Sequence, residues 1–134
     1  MTKGELTVCG KTTLDVVRLL HDNHQLDYKE TWTQAIVNHT SSDSTRKKGC
    51  PKNAFEDLCR CGYVKGIQKQ QEEPSTENGR MAIEALRILS KQDWKLTSKN
   101  GFWQKQFYKH HEGQLDVVLA LKDASLLKEE VRYA

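Results

Sequence analysis

The stretch from Arg46 to Ile67 limits the fold more than any other part of the chain. It reads as a helix with both ends marked. Pro51 suits the first helical position, where its missing N–H is not needed. Ala54, Phe55, Leu58 and Cys59 then fall on one helical face. Gly62 stands where a left-handed residue ends a helix, and Tyr63, Val64 and Ile67 turn back towards the same face. A short helix with one apolar stripe must be covered by other elements, and the rest of the sequence supplies helices to cover it.

Leu14, Val17 and Leu20 predict a first helix over Thr13–His21, with Asp22 and Asn23 as its stop. Asp27 is a plausible cap for a second helix from Tyr28 to His39, whose inner face is Trp32, Ala35, Ile36 and His39. Residues 40–49 are rich in Ser, Thr and then basic residues, and read as a connecting loop. A further loop holds Pro74. The clearest period follows, over Glu77–Lys91, through Met81, Ala82, Ala85, Leu86 and Leu89. Residues 94–111 allow a helix carrying Phe102, Trp103 and Phe107, or a small hairpin around 94–108 turning at Asn100-Gly101. Poor alternation favours the helix. A last helix over Gln114–Ala124 turns Leu115, Val118 and Leu119 inward. The expected fold is all-α, one domain over residues 1–134, with five or six short helices around one core. Phe55–Lys65 and Val118–Lys128 share a plan: amphipathic helix, small residue, two apolar residues, lysine. Any helix folding back on its own core gives such a plan.

A chain of 134 residues can bury a core without metal or disulfide staples. No apolar run has the length of a membrane span, and the first residues lack a signal-peptide core, so the expectation is a cytoplasmic protein with no membrane partner. The four cysteines are then expected as thiols: Cys59 buried, Cys50 and Cys61 half-exposed. Cys59 and Cys61 would point about 200° apart on a helix, and Cys50 would lie about 13 Å along the axis from Cys59. Neither pair can share a tetrahedral zinc. No cofactor is expected.

The formal net charge of +3 says less than its distribution. Residues 44–69 carry seven Lys or Arg against Glu56 and Asp57, a net of +5. Residues 91–111 carry five Lys against Asp93, a net of +4. Between them lies an acidic segment. The two basic zones make either one positive face or merely solvated surface. Arg46, Lys47, Lys48, Gly49 and Lys52 at a helix start, with hydroxyls at Ser41 and Ser42, could hold a phosphate through free N–H groups, although the order of a phosphate-binding P-loop is absent. Trp32, Trp94, Trp103, Phe102, Phe107 and Tyr108 are either core or stacking platforms beside lysines. Cys50, at the same helix start, invites a second reading as a thiol nucleophile. No sequence signal selects a base for it among the five histidines. Non-enzymatic binding of nucleic acid or another polyanion therefore leads. A thiol enzyme at Cys50 and a protein–protein interaction module are the alternatives.

The block Lys47-Lys-Gly-Cys-Pro-x-x-Ala-Phe-x-x-Leu-Cys-x-x-Gly-x-Val-Lys-Gly-Ile resembles the centre of a family of small uncharacterised bacterial proteins. Trp32 and Ala35 before it, then Asn78, Ala82, Trp103 and the Gln114–Leu121 helix, extend the resemblance over nearly the whole chain. It implies the helical architecture and a bacterial cytosolic origin, with no established activity. It also implies Ser41, Ser42, Lys47, Lys48, Gly49, Cys50, Pro51, Asn78 and Asp116 as candidate site positions. The chain departs from that pattern at Glu56-Asp57, where an apolar residue and then glycine are expected. It departs again at Lys122, where an aromatic is expected.

Overall fold

Seven helices and the turns between them make up the computed structural model, which describes residues 6–128. They are α1 (Val8–Asp22), α2 (Tyr28–Ile36), α3 (Asp43–Lys47), α4 (Gly49–Arg60), α5 (Glu77–Lys91), α6 (Lys99–Phe107) and α7 (Gln114–Asp123). α4 is central: α2, α5 and α7 all pack on it, and α1 lies across α2 and α7. Trp32, Phe55, Leu58, Leu86, Leu89, Trp103, Leu115 and Leu121 form the fully buried centre. The architecture is all-α, as expected, and no described helix is long and apolar enough to cross a membrane.

Several boundaries differ from the sequence reading, each for a local reason. α1 starts at Val8 rather than Thr13 because Thr7 caps it, accepting from Gly10 N at 3.1 Å. Thr12 and Thr13 lie inside the helix with their hydroxyls turned onto Val8 O and Cys9 O. α2 is capped by Asp27, as expected, but stops at Ile36. Arg46 donates to Val37 O and Thr40 O just beyond its end. The segment read as a loop contains α3, capped by Ser42 and carrying Asp43 in its first turn. None of its residues is buried, so no apolar period announced it. α4 begins at Gly49, which makes Pro51 its third residue, still within the turn that lacks N–H partners. Gly62 does take the left-handed conformation, with φ +88°. The hairpin around 94–108 does not form. Asn100 and Gly101 lie in the first turn of α6, and Ser98 caps it by accepting from Gly101 N at 3.1 Å. Cys61 is buried with Cys59 rather than half-exposed, whereas Cys50 is partly exposed.

The two segments that share a plan in sequence share geometry in space. Tyr63 N bonds Leu58 O at 3.0 Å, and Leu126 N bonds Leu121 O at 2.8 Å, closing α4 and α7 in the same way. Gly62 and Ser125, at matching positions, both have positive φ. The extended arms that follow pair with each other. Val64 and Leu127 form an antiparallel bridge, in which Lys65 N donates to Leu126 O at 2.7 Å and Lys128 N to Tyr63 O at 3.0 Å. The echo is thus a local two-fold arrangement of helix, turn and arm.

Asp57 ties α4 to α5. It is 2 % exposed. Its carboxylate accepts from Ser75 N and Thr76 N, each at 3.0 Å, and from the Thr76 hydroxyl at 2.7 Å. Thr76 Oγ1 in turn accepts from Gly79 N at 3.0 Å as the α5 cap. A carboxylate of α4 therefore holds the start of α5.

Candidate functional site

The starts of α1, α4 and α7 meet at one end of the fold. Gly113, with φ +99°, precedes α7 and leaves it without a side-chain cap at that position. A Cβ there would lie 3.0 Å from Cys9 Sγ in α1 and 3.4 Å from Pro51 in α4. Three helix N-termini at one place create positive potential, and two carboxylates answer it. Asp116, in the first turn of α7, pairs with Lys99 of α6 at 2.6 Å. Glu112 pairs with Lys48, the residue joining α3 to α4, at 3.3 Å.

The amides here form a relay. Buried Gln114 donates to Asn78 Oδ1 at 2.9 Å and accepts from Glu112 N at 2.8 Å, linking α5 to α7. His111 Nε2 accepts from Leu115 N at 2.8 Å, so it must be unprotonated and the imidazole serves α7 as a cap. Its ring meets Trp103 edge-on.

Burial depresses the His111 pKa below its ordinary 6.5, against a smaller upward pull from Asp116. The unfolded chain then binds more protons near and below that value than the folded one. Folding stability is expected to fall as pH drops through 6.5 and to level off below the folded pKa. His111→Gln should flatten that limb of the stability–pH curve measured by urea denaturation. An unchanged slope would refute the assignment.

Cys9 borders the same junction. Burial first, then Asp116, push its thiol up to about 11, which favours the protonated form at neutral pH. Sequence reasoning missed Cys9, His111, Glu112 and Gln114. Only the folding of α7 against α1 and α4 brings them together.

Of the candidate positions, Lys48, Asn78 and Asp116 each touch a residue of this junction or lie in it, and Gly49 and Cys50 stand in the first turn of α4 beside it. Lys47 is exposed, whereas Lys52 is partly covered. Ser41 and Ser42 lie on α3's far side in the chain, where Ser42 caps that helix. Arg46 is partly covered and donates to the backbone carbonyls of Thr40 and Val37. Among the described residues Cys50 has no hydrogen bond to a histidine, and no group of His, Cys, Asp or Glu could hold a metal.

A hollow of about 710 Å³ lies elsewhere. It runs along the outer face of α5 between Tyr63 and the 72–77 segment, over Ile83. Its charges answer one another, because Arg80 pairs with both Glu77 and Glu84, and Arg87 donates to Tyr63 Oη. None of the candidate residues lines it.

Lys122 places its ammonium 5.5 Å from the centre of the Trp94 ring, a cation–π contact between α7 and the turn before α6. No curated protein and no solved structure matches the chain. A family match does cover residues 7–128, nearly the whole chain, and by it the protein belongs to a family of unknown function, DUF6979.

Proposed function

We propose that this chain is a non-enzymatic binding module that engages nucleic acid or another polyanion at the junction of α3, α4 and the segment between α6 and α7. One observation carries the reading. The Lys48–Glu112 pair joins the first basic zone to the residue that directly follows the second in the chain. Lys109 is three residues from Glu112 and hence within about 11 Å of it along the backbone. Lys47, Lys52, Lys105 and Lys109 have no ion pair among the described residues.

The number of available cations sets the salt dependence. Four lysines contacting duplex phosphates give a slope of about −3 to −4 in log K against log salt. Removing Lys47 and Lys52 together should reduce it to about −2. Arg46 donates Nε and Nη2 to Thr40 O and Val37 O, which holds its side chain against the backbone while its charge stays uncompensated among the described residues. Glu112→Gln should act in the opposite direction. It releases Lys48 and removes a like charge from the ligand's path, so binding tightens and the slope steepens by about 0.9. Heparin retention and duplex DNA titrations at several salt concentrations measure all three. Absence of binding by the wild type at low salt, or identical curves for Lys47→Ala/Lys52→Ala and wild type, would overturn the reading.

A further inference from the structure

Tyr108 is 90 % exposed, whereas the other exposed large apolar side chains, Leu6 and Val37, are half-covered. Its backbone is left-handed, with φ +57° and ψ +31°, at the position that closes α6. Glycine is the usual residue there, and an L side chain in that region is strained. The ring thus gains little from burial and sits where folding favours no ring at all. Trp103, Phe107 and Trp94 of this region are already occupied. Trp103 is buried and packs on Phe107, and Trp94 lies under Lys122.

Lysines flank Tyr108 in the chain, and Lys109 lies near enough to Glu77 to join Arg80 in lowering its pKa. Lys105 precedes it by one turn and Lys109 follows it. Lys105 also rims a shallow hollow of about 310 Å³, which has Lys95 on its edge and Leu96 and Phe102 among its lining. Exposed aromatic surface interleaved with unpaired cations is what a single-stranded nucleic acid requires. Bases stack on the ring while phosphates meet the lysines, and a duplex cannot use the ring because its bases are already stacked.

We propose that Tyr108, with Lys105 and Lys109, is a base-stacking contact for single-stranded nucleic acid. The proposal rests on the polyanion reading above and adds strandedness to it. The test is fluorescence anisotropy with oligo-dT and with a duplex of equal length, on the full chain, for wild type and three variants. Tyr108→Ala should lose about tenfold in affinity for oligo-dT and none for the duplex. Tyr108→Phe keeps the stacking face and should stay within about twofold of wild type. Tyr108→Gly relieves the backbone while removing the ring, so it should bind as weakly as the alanine variant yet be no less stable to urea. That outcome separates a lost contact from a damaged fold. Equal affinity of wild type and Tyr108→Ala for oligo-dT, or a parallel loss on the duplex, overturns this proposal while leaving the polyanion reading standing. No binding of either nucleic acid by wild type overturns both.

Discussion

Asp57→Ala should destabilise the protein by about 3 kcal/mol, because it strips charge-assisted partners from two backbone N–H groups and a hydroxyl in a buried place. Gly79→Ala should cost at least as much. In most helices that change is favourable by about 0.5–1 kcal/mol. Here the new Cβ would lie 1.9 Å from Asp57 Oδ2 and 2.3 Å from Asp57 Cβ. The clash with Cβ means that truncating Asp57 to alanine does not make room. α4 and α5 must part, and the carboxylate is drawn off its donors with them. Urea denaturation of the two single variants measures both effects. A stabilising Gly79→Ala would show that the two helices do not pass this closely.

Trp103→Ala should cost about 4 kcal/mol and should release α6 as a unit. Trp103 is the one buried residue of that helix, packed on Phe107 and His111. Its indole N–H has no hydrogen-bond partner among the described residues, so the loss is of packing and not of a polar contact. Trp103→Phe should therefore retain most of the stability. The readouts are the urea midpoint and amide exchange over residues 99–107. If α6 carries Lys105 and Tyr108 to a nucleic acid, the alanine variant also loses single-strand binding before it loses its remaining helices. Protection of α6 amides unchanged in Trp103→Ala would refute the anchoring role.

Much of this architecture was legible in the sequence because apolar periodicity reports burial directly. Met81, Ala82, Ala85, Leu86 and Leu89 marked α5 at both ends, and Asp27 and Gly62 marked a start and a stop. α3 was not legible, since a helix with no buried residue has no apolar period, and Ser42-Asp43 is its only signal. The early start of α1 was hidden by Thr12 and Thr13, which read as polar and unfavourable for helix yet bond to the turn before them. For the site, the sequence located the basic zones but could not tell which cations are occupied. Arg46 and Lys48 look like Lys47 and Lys52 in a string of letters. Their carbonyl and carboxylate partners come from other elements, and for Lys48 from far along the chain.

The paired arms after α4 and α7 set an order of assembly. During synthesis α4 and its arm emerge first, and the arm presents Tyr63 O and Lys65 N with no partner yet made. The matching groups, Leu126 O and Lys128 N, arrive only with the end of the described chain. Until then the arm leaves a short edge of two unpaired backbone groups, the kind of group through which extended chains join one another. A single bridge keeps that edge short, and the copy of the same turn further along the same chain supplies its partner in place of a neighbour.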